Sequence, residues 1–313
     1  MKDEILVPLD GSTLAEAILP HAVMLARTTA RSITLLRAVA PSMSAVAAAM
    51  WTPTYNVPDQ LQWEAEVNSA TRYLNQVARR LRDLGVAVTI RTAPNAPAES
   101  ILDYATQNPD LRLIALATHG RTGFTRWLLG SVAEKVVQGA DQPLLLVRPA
   151  SPDAGAALEP VVPYTKILVP LDGSSLAEQA LAYTRNLAAA TGAGLLLVTV
   201  LPSLDESALV EEAAAIRRHE AQQPDVVKGA RTYLAGVAQQ LEEARVPVQT
   251  RIVYGQPAEA ILRLTAQESA DVIAMATHGR SGLQRLWLGS VTQKVVQRAE
   301  TPVLVIRPRP PTG

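Results

Sequence analysis

Short runs rich in β-branched and other apolar residues alternate along the chain with longer stretches whose apolar positions recur at helical spacing. This alternation is the signature of βαβ units. A parallel strand buried on both faces reads as a near-continuous apolar run rather than as an apolar–polar alternation. The pattern predicts strands at Glu4–Leu9, Ser32–Val39, Val86–Arg91, Arg112–Ala117 and Pro143–Val147. A second set follows at Lys166–Leu171, Gly194–Leu201, Val248–Val253, Asp271–Ala276 and Pro302–Ile306. Each set predicts a doubly wound α/β domain with a five-stranded parallel sheet flanked by helices. Such sheets take ligands at the carboxyl ends of their strands, near the point where strand order reverses.

The two sets are copies. Residues Ile5 to Ser12 read ILVPLDGS, and so do Ile167 to Ser174. ATHGR at Ala117 to Arg121 returns at Ala276 to Arg280, and LGSV at Leu129 to Val132 returns at Leu288 to Val291. Asp10 recurs at Asp172, an offset of 162 residues, and Ala117 at Ala276, an offset of 159, so the copies differ by a small net deletion. One duplicated domain is the simplest account. It predicts domains at 1–149 and 165–309, joined by the Pro-, Ala- and Gly-rich linker 150–164. The longest irregular stretches, Ala40 to Gln62 and Pro202 to Asp225, follow the second strand of each copy and read either as lids over a site or as tolerated insertions.

Composition narrows the partners. Lys plus Arg (29) equals Asp plus Glu (29), so no net field draws the protein to nucleic acid or an anionic membrane. Cysteine is absent, which excludes disulfides, thiolate metal sites and a cysteine nucleophile. The start, MKDEILVPLD, lacks the pattern of a secretory signal, and no apolar run is long enough to span a bilayer. A cytoplasmic location is expected.

The candidate chemistry sits where the strands end. After the fourth strand, Ala117-Thr-His119-Gly120 is followed by nine residues and then Gly130-Ser131; Ala276-Thr-His278-Gly279 is followed by nine and then Gly289-Ser290. A strand running into a glycine loop and a helix lets backbone N–H groups face a phosphate, with Gly123 and Gly282 as further conformational slack. Ser131-Val-Ala-Glu134 and Ser290-Val-Thr-Gln293 also read as capping boxes, and the two readings are compatible. At the first strand, Pro8-Leu-Asp10 and Pro170-Leu-Asp172 put an acid at the strand tip, suited to ribose hydroxyls or a phosphate-bound cation, or simply to an Asp-Gly turn. Thr13…Glu16 and Ser175…Glu178 read as capping boxes there. His119 and His278 have no ligand-spaced partner and read as loop histidines near the ligand rather than as bases or metal ligands. Arg121 and Arg280, with Arg126 and Arg285, lie on the glycine loops, where they either neutralise phosphate or are simply exposed.

With V-P-L-D-G-S closing strand one and T-H-G-R-x-G and L-G-S-V after strand four, in that order twice, the chain resembles the universal stress protein family almost end to end. The resemblance implies a strand order of 3-2-1-4-5 in each half. It also implies ATP, or ADP or AMP, as ligand, with Mg2+ carried on the phosphates. ATP-binding members of that family carry Gly, two residues, Gly, nine residues, then Gly and Ser or Thr. Here Ala117 and Ala276 stand at the first glycine, while Gly120, Gly130, Ser131 and Gly279, Gly289, Ser290 match the rest. By the same resemblance Asp10 and Asp172 contact the nucleotide, Ala38, Val39 and Val200 meet the adenine, and Val132 and Val291 offer amides to phosphate. Final strands pair in that family, implying an internal pseudo-dimer and a homodimer.

The function these readings imply is a nucleotide-dependent regulator in stress response, with little or no turnover and an unidentified protein partner. Two other classes stay open. One is a nucleotide-free scaffold. The other is an ATP-consuming enzyme, against which stand the absence of a G-x-x-x-x-G-K-[ST] loop and of a recognisable nucleophile–base pair. Asn95 in the first copy stands where the second has Gly255, a difference expected to be small because Asn tolerates left-handed backbone angles.

Overall fold

The structure, a computed structural model, describes residues 3–40, 57–119, 129–149, 158, 161–202, 221–277 and 288–308. The chain divides into two compact units, Met1–Val161 and Val162–Gly313.

In the first unit, β1 (Glu4–Pro8), β2 (Ser32–Ala38), β3 (Val88–Ala93), β4 (Leu111–Ala117) and β5 (Leu144–Val147) form a parallel sheet in the order β3-β2-β1-β4-β5. The helices are α1 (Thr13–Glu16), α2 (Leu19–Thr28), α3 (Val57–Asp83), α4 (Pro97–Gln107) and α5 (Ser131–Gly139). The second unit repeats the plan. Its strands β6 (Lys166–Pro170), β7 (Gly194–Leu201), β8 (Val248–Tyr254), β9 (Val272–Ala276) and β10 (Val303–Ile306) run in the order β8-β7-β6-β9-β10. Its helices are α6 (Ser175–Thr191), α7 (Pro224–Glu243), α8 (Pro257–Gln267) and α9 (Ser290–Arg298). These are two tandem doubly wound domains with the expected strand order. The middle residues of β1 and β6 are fully buried, as burial on both faces requires.

The helix after β1 is continuous in one unit and broken in the other. Pro20 has no N–H to give the carbonyl of Glu16 four residues earlier, so α1 stops and α2 begins at Leu19. Ala182 stands at the corresponding place, and α6 runs through.

β3 starts two residues later than the apolar pattern predicts. Val86 is buried behind the end of α3, its N–H donating to the Leu81 carbonyl (3.3 Å) across Gly85, whose φ is +80°. It therefore closes the helix rather than opening the strand. Val246 does the same on Leu241 (3.2 Å) across Arg245, at φ +61°. Of the two irregular stretches, 41–56 and 203–220 lie outside the described residues, and the end of the first is already helical in α3.

Candidate functional site

The order β2-β1-β4 places the topological switch between β1 and β4, and at the carboxyl ends of these strands each unit has a cavity. In the first unit it measures about 620 Å³ and is lined by Pro8, Asp10, Ala38, Val39, Ala117, His119, Gly130, Ser131 and Val132, all expected from the sequence. In the second it measures about 340 Å³ and is lined by Pro170, Asp172, Val200, Ala276, Gly289, Ser290 and Val291. Gly120, Arg121, Gly123, His278, Gly279, Arg280 and Gly282, with Arg126 and Arg285, lie outside the described residues.

The Asp loops are built identically. Gly11 (φ +88°) and Gly173 (φ +80°) turn the chain, and the Ser12 N–H and hydroxyl donate to Asp10 Oδ1 at 2.8 and 2.6 Å. Ser174 does the same to Asp172 Oδ1 at 3.0 and 2.6 Å. The serine oxygens then accept from Ala15 and Ala177, capping α1 and α6 (3.2 Å each). The caps are therefore Ser12 and Ser174, one residue before the boxes expected from Thr13 and Ser175. The Asp-Gly turn and the pocket acid are the same residue, since one carboxylate oxygen shapes the loop while the side chain lines the cavity.

The helix starts after β4 depart from expectation in a more useful way. Ser131 and Ser290 are not caps: the caps are Gly130 and Gly289, which have no side chain to offer. Their carbonyls accept from Glu134 and Gln293 (2.9 Å each), and their N–H groups donate back to the strand tips, Gly130 to the Thr118 carbonyl (2.9 Å) and Gly289 to Thr277 (2.7 Å). The first-turn amides of Ser131 and Val132, and of Ser290 and Val291, have no partner among the described residues. Orphan donors at a helix start, beside a cavity, suit an anion. Gly130 is also sterically required, because a Cβ there would stand 2.9 Å from the Thr118 carbonyl oxygen.

Ala117 and Ala276 line the cavities as ordinary strand residues, paired with Val147 and Ile306. The cavity of the first unit measures about 620 Å³ with that methyl in its lining. His119 Nδ1 lies 2.9 Å from the Thr118 hydroxyl. Val39 is held by its N–H to the Ala93 carbonyl (2.8 Å) and by the Trp63 indole N–H on its own carbonyl (3.3 Å). In the second unit the corresponding carbonyl, Leu201, accepts from the Gly255 N–H (3.0 Å). Gly255 takes φ +124°, whereas Asn95 is not left-handed and instead binds Asp103 and Ser100. Where a small difference was expected, the two loops close in different ways.

Sequence reasoning missed several lining residues. Pro97 and Ile101 at the start of α4, and Pro257 and Ile261 of α8, wall the cavities in both units. Their signal was present in the shared Pro-Ala-Glu-x-Ile-Leu at both helix starts. Arg37, Glu66 and Ser69 line only the first cavity.

The profile of the universal stress protein family matches residues 1–148 and again 163–307. The chain belongs to that family. A universal stress protein of Mycobacterium tuberculosis is 30% identical over 206 residues, 63% of this chain and 62% of that protein, so the chain spans under two thirds of this relative's length. One from Mycolicibacterium smegmatis is 25% identical over 320 residues, 97% of each chain. Among solved structures, a universal stress protein of Archaeoglobus fulgidus superposes with a TM-score of 0.64 at 21% identity, covering 98% of this chain and 99% of its own, a likeness of fold. Among the described residues of this universal stress protein, no helix is long and apolar enough to cross a membrane.

Proposed function

We propose that this universal stress protein is a regulator that binds ATP, or ADP or AMP, in the crevices of its domains, with little or no turnover. The observation that supports this most is the glycine-started helix at the switch point, without a side-chain cap and facing a strand-tip acid across a cavity. In this reading the first amides of α5 and α9 hold phosphate oxygens, and Asp10 and Asp172 accept from ribose hydroxyls. The apolar end of β2, at Ala38 and Val39, takes the adenine. Among the described residues no cluster of three or more His, Asp or Glu side chains stands ready for a metal, and Mg2+ enters on the phosphates. The protein works in the cytoplasm as a homodimer, with nucleotide occupancy altering contacts to a protein partner.

Calorimetric titration with ATP–Mg, alongside mass spectrometry of co-purified nucleotide, tests the proposal. Saturable binding without steady phosphate release is expected. No binding of ATP, ADP or AMP at millimolar concentration would refute it and leave the nucleotide-free scaffold. Steady turnover would favour the enzyme.

A further inference from the structure

The two cavities share their floor and phosphate end but not their far wall. Leu9 and Leu171 donate to the Leu36 and Val198 carbonyls, so Arg37 of β2 corresponds to Thr199 of β7. The matching ends of α3 and α7 set Glu66 against Val226, Ser69 against Gly229 and Arg80 against Gln240. Thr199 turns its hydroxyl to the Leu171 carbonyl (3.1 Å) in the core, Val226 is exposed, and a side chain at Gly229 would meet open space. The second cavity is smaller as well. Thr292, where the first unit has Ala133, sits in its lining with its hydroxyl on the Ala276 carbonyl (2.9 Å).

In the first unit Arg37 is held in place. Its guanidinium lies 5.2 Å from the centroid of the Tyr73 ring. The Tyr73 hydroxyl donates to Glu16 Oε1 (2.9 Å), whose other oxygen accepts from Arg80 (2.7 Å). Burial first, and then the Glu16 carboxylate, push the Tyr73 phenol upward, so it stays a donor. This chain fixes a cation on the cavity wall at β2, two strands from the end of β4, roughly 10 Å across the sheet. That distance separates it from the α5 amides and puts it beside the nucleoside end of a ligand whose phosphates lie on α5. A guanidinium there stacks on a base or bonds its edge. Glu66 accepts from an exocyclic amine or a ribose hydroxyl, and Ser69 does either.

We infer that the halves bind nucleotide unequally: the first is the tight ATP site, with Arg37, Glu66 and Ser69 reading the nucleoside end, and the second is weak. This rests on the nucleotide-binding reading above. Titration of the full chain with ATP–Mg by calorimetry, with occupancy counted by native mass spectrometry, tests it. One equivalent is expected at least tenfold tighter than the second. Arg37→Thr, which installs the residue of the second half, and Glu66→Val each bring the tight equivalent toward the weak one. Gly130→Ala weakens the tight equivalent and Gly289→Ala the weak one. Two equivalents of indistinguishable affinity, or a tight equivalent surviving in both Arg37→Thr and Glu66→Val, overturn the inference and leave nucleotide binding standing. Absence of any binding overturns the nucleotide reading, and the inference with it.

Discussion

Gly130→Ala isolates the junction on which the candidate site depends. The added Cβ would lie 2.9 Å from the Thr118 carbonyl oxygen, a backbone atom that already accepts the Gly130 N–H at 2.9 Å. Ordinary contact needs about half an ångström more, and neither backbone can yield without lengthening that hydrogen bond. Overpacking of this kind costs about 1–3 kcal/mol, and a weakened hydrogen bond alone about 1 kcal/mol. The start of α5 moves with it, carrying the Ser131 and Val132 amides off their aim, so ATP affinity should fall about tenfold or more. The control lies on the same helix. At Gly139 an added Cβ meets Leu102 Cδ1 at 2.7 Å, a flexible side chain that can rotate aside, at the end remote from the cavity. Urea unfolding and calorimetry on both variants give stability and affinity separately. If Gly130→Ala binds ATP like the unmodified protein, or if Gly139→Ala weakens binding equally, the amides of α5 are not what grips the ligand.

Two further predictions concern stability. Arg245 holds φ +61° where the first unit has Gly85, and left-handed backbone costs an L-residue about 1–2 kcal/mol, partly offset by the freedom glycine adds to the unfolded chain. Arg245→Gly should therefore stabilise the protein by about 0.5–1 kcal/mol in urea unfolding, and Gly85→Arg should do the reverse; a neutral or destabilising Arg245→Gly would show that the strain is absent. Desolvation by burial lowers His21 to about 4 from 6.5, so as pH falls the unfolded chain takes the proton first and stability declines between those values. The loss from pH 7 to pH 5 attributable to His21 is roughly 2 kcal/mol, and His21→Gln should flatten the pH profile by that amount; an unchanged slope refutes the assignment.

The sheet was legible because strands such as β5 (LLLV) and β10 (VLVI) are buried along their whole length and can be little else. What escaped the pattern was decided one step beyond it. Val86 looks like a strand residue but is claimed by the preceding helix end. Ser131 looks like a cap, but the strand-tip carbonyl of Thr118 binds the glycine before it and starts the helix there. Asp10, Gly130 and their counterparts could be found because the motif repeats in order. Arg37 could not: a lone charge in SITLLRA carries no local sign that Tyr73, from a helix beyond β2, and Glu16, from before it, hold it beside the cavity.

The bonds from Gly130 to Thr118 and from Gly289 to Thr277 act as clasps, fastening each helix start directly to the strand it follows. Any shift of a strand tip is thereby handed straight to the anion-facing turn, which makes the sheet edge and the ligand grip one mechanical piece.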